Sequence, residues 1–347
     1  MDRLGQDRRY PGKRLSLPLV FVSLIAALLV AVLGSFMVGR YAITPGELLS
    51  LLTGGPEAQG MSGLVLFKVR LSRIFGALLI GGALSLSGAV YQGMMKNPMV
   101  SPDILGASAG AGLGASLGIS LGWEGFAVQV LAFVFGLLAV VATMGMSRLI
   151  ETSSGGGIMV LVLTGMVFSS LFSALISAVK YTADPYDKLP TITFWLMGGL
   201  SYVTVDDVLL LLVPVIAGTV PILLMRWQLN VLSLGDQEAN TLGVHAVRLR
   251  VVFILCATLL TSSAVAVGGM IGWIGLIIPH LARLLVGVNH NAQIPASLLL
   301  GAIFMLIVDD LARTLLPQEI PLSIITAILG TPVFLYLLFA RKGNLGM

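Results

Sequence analysis

The sequence predicts an all-α, polytopic membrane protein with about ten transmembrane helices. Three observations carry that class. Of 347 residues, 57% are hydrophobic and only 10% charged, where soluble domains carry about 25% charged residues. Apolar runs long enough to cross a bilayer recur from end to end, and in lipid a helix satisfies its own backbone hydrogen bonds. The basic residues fall between those runs, where topology explains them, so the net charge of +4 does not signal nucleic-acid binding. The runs leave no room for a soluble domain, and residues 1–347 read as a single transmembrane unit.

The N-terminal tail, residues 1–14, is basic and precedes the apolar run Leu15 to Val38. That run is too long for a signal-peptide core and lacks a clear small-x-small cleavage site, so it reads as a retained first span. An amphipathic piece, Pro45 to Leu52, follows. The second span is Leu64 to Gly93, the third Ile104 to Leu121, the fourth Phe126 to Met146 and the fifth Met159 to Val179. The stretch Asp184 to Val203 is apolar in its second half but too short to cross. Pro190 interrupts it, and Trp195 and Tyr202 suit an interfacial helix. The sixth span is Val208 to Leu224 and the seventh Val251 to Met270. The eighth, Ile274 to Val288, contains Pro279. The ninth is Pro295 to Leu315 and the tenth Leu322 to Phe339.

An even number of spans puts both termini on one side. With the N-terminus in the cytoplasm, seven of the 20 Lys and Arg residues fall outside: Arg40, Lys68, Arg70, Arg73, Lys180, Lys188 and Arg313. The remainder fall inside, the bias that orients membrane proteins. Arg70 and Arg73 share a helix face three residues apart, and Arg313 ends the ninth span. An arginine deep in lipid costs roughly 2.5–3.5 kcal/mol on insertion scales. These side chains are therefore expected to reach the surface or a wet cavity, as snorkelling anchors or as a basic rim for an acidic partner. Asp309 and Asp310, four and three residues before Arg313, offer it a local ion pair.

Small residues recur at every fourth position of two spans: Ala77, Gly81, Ser85, Ala89 and Gly93 in the second, Gly106, Gly110, Gly114 and Gly118 in the third. Such faces let helix backbones approach closely in lipid. They serve tight bundling, or they line a pathway whose walls slide past one another. Gly106-Ala107-Ser108-Ala109-Gly110 also fits the G-x-S-x-G nucleophile pattern. His280 is then the one base available within a span, and an intramembrane serine protease is the rival reading. The three histidines are scattered and form no metal-ligand cluster, and the single cysteine, Cys256, reads as a small buried hydrophobe. A proton-coupled secondary transporter would place carboxylates at mid-membrane, where these spans are nearly free of acids. No G-x-x-x-x-G-K-[ST] sequence is present, and Gly12-Lys13 lacks the earlier glycine.

The motifs after Leu64 resemble the FecCD-type permease family, the membrane subunits of ABC importers for iron-siderophores, haem and cobalamin. The similarity rests on Arg70-Leu71-Ser72-Arg73, with serine where the family often has proline, then Ser87-Gly88-Ala89 with Gln92, and Asn97-Pro98 with Ser101-Pro102 to Leu105-Gly106. It continues in Trp195 to Gly199, Leu232 to Gly235 with Ala239 and Leu242-Gly243-Val244, Gly272 to Arg283, and Leu329 to Phe334. The resemblance implies a cobalamin-importer-permease-like fold with about ten spans in a bacterial inner membrane, both termini cytoplasmic. It implies a second permease subunit, identical or paralogous, with the path between the two. It also implies two cytoplasmic ATPase subunits that use the ATP, no cofactor on this chain, and an external binding protein, periplasmic or a lipoprotein. Arg70, Arg73 and Arg313 would dock that binding protein. Residues 228–250 would be the cytoplasmic coupling segment, with Leu234, Gly235, Asp236, Glu238, Ala239, Leu242 and Gly243 at the ATPase and Asp236 and Glu238 pairing with its basic groups. Gly81, Ser85, Gly88, Gly106, Gly110 and Gly114 would border the translocation path or pack the helices around it.

Overall fold

The computed structural model describes residues 16–39, 41, 43–53, 60–151 and 157–342. The basic tail lies outside the described residues. Within them are fifteen α-helices: α1 Leu17–Met37, α2 Pro45–Leu52, α3 Met61–Leu64, α4 Leu71–Met94, α5 Ala107–Ser120, α6 Phe126–Glu151, α7 Gly157–Thr182, α8 Lys188–Met197, α9 Val205–Leu224, α10 Arg226–Leu234, α11 Asp236–Thr241, α12 Ala246–Gly268, α13 Ile274–Val286, α14 His290–Thr314 and α15 Leu322–Lys342. A π-helical segment, Val65–Arg70, joins α3 to α4, so Met61–Met94 is one continuous span.

Each expected crossing coincides with a helix, and seven are long and apolar enough to span a membrane. The third is a correction. The expected Ile104 to Leu121 divides into a 3-10 turn, Pro102–Leu105, and α5, with Gly106 between them in the left-handed region (φ 85°). The 14 residues of α5 rise only about 21 Å, short of a bilayer core, and most of them are buried against neighbouring helices. Pro190 is likewise absorbed, because it falls in the first turn of α8, where a missing N–H costs no helical bond.

Helix starts follow local chemistry. Thr204 and Asp207 form a capping box that opens α9 a turn before the apolar run. Thr44 and Glu47 do the same for α2, and hydrogen bonds from Thr44 hold the Glu47 carboxyl below its usual range.

The centre of the bundle is α4, with 83% of the best window of its span buried, against 11% for α1 and for α7. Glycine permits that centrality. A Cβ on Gly81 would lie 2.2 Å from the Gly301 carbonyl oxygen of α14, and one on Gly88 would lie 1.9 Å from the Gly275 oxygen of α13. Hydroxyls tie the same faces: Ser85 donates to the Ser297 carbonyl (2.8 Å), and Ser87 and Thr261 Oγ1 share a hydrogen bond (2.8 Å). The bundle therefore has two unlike ends. One gathers the end of α1, the start of α4, α8 and the end of α14. The other gathers the end of α4, α10, α11 and the α13–α14 turn.

Candidate functional site: an ionic clasp, a coupling segment and a serine row

The first end holds three arginines and three carboxylates. Arg73 Nε donates to both Asp309 oxygens at 2.9 Å, and its Nη1 donates to Glu319 Oε1 at 2.9 Å. Arg313 Nη2 donates to the Ser35 carbonyl (2.8 Å) and hydroxyl (2.7 Å), and also to Asp310. Arg70 donates to the carbonyls of Phe36 and Tyr41, closing the turn after α1. Gly39 makes room for it, since a Cβ there would meet Arg70 Nη2 at 2.7 Å. The clasp thus joins α1, α4 and α14, and Ser201 adds the segment after α8 through a bond to Glu319.

This corrects the expectation that the arginines reach the surface, and of the three Arg73 lines a cavity. Arg70, Arg73 and Arg313 are only 3%, 5% and 6% exposed. Each of the three buried arginines is hydrogen-bonded, and carboxylates meet Arg73 and Arg313, which offsets the desolvation that every buried charge pays. Both acids pair with Arg313 as the spacing suggested, Asp310 closely and Asp309 at 3.9 Å, and the fully buried Asp309 also takes Arg73. Glu319 is the member that the sequence reading missed. Its signal was its position just past a span end that already carried an arginine. Arg73 still borders a 420 Å³ cavity, with exposed Lys68 and Tyr202 on its wall.

At the second end, the expected coupling segment holds two short helices, α10 before Gly235 and α11 between Gly235 and Gly243. Gly235 (φ 146°) breaks the chain between them, and Gly243 (φ 78°) ends α11 in the left-handed region that favours glycine. Leu234 and Leu242 are 60% and 57% exposed, whereas Ala239 is fully buried. Glu238 is exposed. Asp236 is a correction, because its charge is taken within the chain by Arg250, Nη1 to Oδ2 at 2.6 Å.

Of the two readings of the glycine faces, packing accounts for the contacts seen within this subunit. Gly81, Ser85 and Gly88 bind α4 to α14 and α13. Gly110 and Gly114 bind α5 to α6, where a Cβ would fall 2.7 Å from the Phe135 oxygen and 2.5 Å from the Leu131 oxygen. Gly106 supplies the turn into α5 and approaches Ser169 of α7. Close backbone packing uses these residues inside the subunit. Ser108 donates to Asp103, a turn residue whose carboxyl burial pushes up despite that bond and one from Ser101. The serine is thereby a structural donor. Gln92, 1% exposed, ties the Asn97 turn to α13. Its Nε2 donates to the carbonyls of Val100 (3.2 Å) and Leu276 (3.0 Å), and its Oε1 accepts from Arg283.

On one span a row of hydroxyls remains uncovered. On α7, Ser170, Ser173 and Ser177 are exposed on one face, three and four residues apart, among apolar neighbours. Ser170 donates to Met166 O (2.9 Å), Ser173 to Ser169 O (2.8 Å) and Ser177 to Ser173 O (2.9 Å). The serine spacing was legible in the fifth span, but which helix face stays open was not.

Comparison with known proteins matches the FecCD transport family model over residues 27–340. The chain is 39% identical to the molybdate import system permease protein MolB of Haemophilus influenzae, over 94% of this chain and 97% of that one. It is 36% identical to the Fe(3+) dicitrate transport system permease protein FecC of Escherichia coli, over 86% and 87%. A solved ABC transporter assigned to the metal-chelate type, in an inward-facing conformation, superposes with a TM-score of 0.83 at 38% identity, over 93% of this chain and 99% of that one.

Proposed function

The chain belongs to the FecCD transport family of ABC importer permeases, and from that premise we propose that it passes a metal chelate of the siderophore, haem or cobalamin class from an external binding protein to the cytoplasm. The path runs along α7, between this subunit and a second permease copy or paralogue. The serine row on α7 carries this reading. Hydroxyls exposed in the middle of a span belong beside water or a partner, not beside lipid tails. A wall of hydroxyls without fixed ligands suits a bulky, oxygen-rich cargo that must enter and leave.

ATP is hydrolysed on two separate subunits, and residues 228–250 rest on them through the exposed Leu234, Glu238 and Leu242. The chain sits in a bacterial inner membrane with both termini inside, which the distribution of Lys and Arg supports. The arginine end then faces outward. Docking of the binding protein uses the rim of the cavity at Arg73, where a carboxylate of the partner meets Lys68 and competes for the clasp.

Ser173→Trp tests the path. In proteoliposomes with the ATPase and binding protein present, it is expected to stop uptake while the complex still assembles. Normal uptake would remove α7 from the path. A second reading, a molybdate-type oxyanion as cargo, is favoured by the likeness to the Haemophilus influenzae molybdate permease across nearly the whole chain. Uptake of ferric siderophore, haem and molybdate measured side by side separates the two.

A further inference from the structure

A cavity of 630 Å³ opens at the α10 end, between the end of α4, α10 and the α13–α14 turn. Its lining includes Lys96, Arg283 and His290 and no carboxylate. Lys96 is exposed and makes no ion pair among the described residues. Its backbone sits at φ 53°, a conformation uncommon for a residue with a Cβ, so the turn after α4 holds this cation in place at some cost. Gln92 fixes Arg283. Asn230 Oδ1 accepts from both the backbone N–H and the ring Nδ1 of His290, each at 2.9 Å, and this locks α10 to the start of α14. On the same wall Gln293 is 1% exposed. Its Nε2 donates to Pro279 O, but its buried Oε1 has no partner and would accept a hydroxyl.

The rim is open and carries apolar side chains beside the exposed Ser233, Asn289 and Asn291. Trp227 is 53% exposed and Val288 78%, with Leu284 and Leu285 exposed on α13 beside Arg283. A free anion has no use for such a rim, whereas a phosphodiester carrying acyl chains uses both parts. Basic pockets between membrane helices take anionic lipid headgroups, and indole rings favour headgroup depth. We propose that this cavity binds the phosphate of an anionic, hydroxyl-bearing phospholipid such as phosphatidylglycerol. Lys96 and Arg283 meet the phosphate, Gln293 accepts a headgroup hydroxyl, and Trp227 and Val288 lie along the acyl chains. The bound lipid would brace the base of the coupling segment against α14. Naming this leaflet the cytoplasmic one rests on the orientation read above.

The test is native mass spectrometry of the full chain released from detergent, with phosphatidylglycerol, phosphatidylcholine or inorganic phosphate added. The wild type is expected to retain phosphatidylglycerol over phosphatidylcholine. Lys96→Glu should lower that retention about fivefold or more, and Trp227→Ala should lower it without changing the secondary structure. Lys188→Glu, at the opposite end, should leave it unchanged. Equal retention of the two lipids, an unaffected Lys96→Glu variant, displacement by inorganic phosphate, or displacement by the purified ATPase subunit would each overturn the proposal. Retention in detergent does not depend on which way the chain inserts. One-sided labelling of Lys96→Cys tests the orientation separately.

Discussion

The arginine end and the α10–α11 end are both polar, yet they are built on opposite principles. At the arginine end the three arginines and Asp309 are buried, Asp310 and Glu319 are half-buried, and the group is bonded across three elements distant in sequence. At the other end the helices are short, Gly235 and Gly243 have positive φ, Trp227, Leu234 and Leu242 stand exposed, and the Asp236–Arg250 pair lies near the surface. A buried pair is costly to break, whereas a half-exposed one contributes little. One end can hold its geometry while the other moves, which suits the proposed drive by a separate ATPase.

The comparison can be broken most forcefully at Asp309. Replacing it by alanine leaves buried Arg73 with the half-buried Glu319 alone and is expected to cost about 3 kcal/mol, read as a lower melting temperature in detergent and a poor yield from membranes. A stable Asp309→Ala protein would mean that water already reaches the clasp. Gly243→Trp comes next. The space around Gly243 is open, so the cost is that of a left-handed backbone, about 1–2 kcal/mol. Membrane insertion should be intact while ATP hydrolysis no longer drives uptake; normal transport would deny the segment its coupling role. The smallest effect on stability is expected from Lys68→Glu, on the exposed rim of the cavity at Arg73, within about 0.5 kcal/mol. It should nonetheless weaken capture of the binding protein in a pull-down. Unchanged capture would move docking away from that rim. Reversing Arg73 itself is a poor test, because it would bring a third carboxylate against Asp309 and Glu319.

Much of this was legible in the chain. Runs such as Leu15 to Val38 and Phe126 to Met146 name their own helices, because in lipid a segment either bonds itself or does not cross. Gly235 and Gly243 announced the breaks around α11. The three arginines were found, but their surroundings were misjudged, because Asp309 lies 236 residues from Arg73 and Glu319 lies 246. The glycine repeats were found as well, with their purpose left open between packing and path. A small residue at every fourth position specifies close approach without specifying to what. The carbonyl oxygens of Gly275 and Gly301 gave the answer.

The sequence by itself determined the class, the order of the spans and the family, since these depend on hydrophobicity and local motifs that each segment carries alone. Only the tertiary structure decided which charges cancel, which small-residue faces are consumed inside the subunit, and that the serine face of α7 is left over. Those properties belong to pairs of surfaces, and burial of a charge or a hydroxyl is set by what the neighbouring helix brings to meet it.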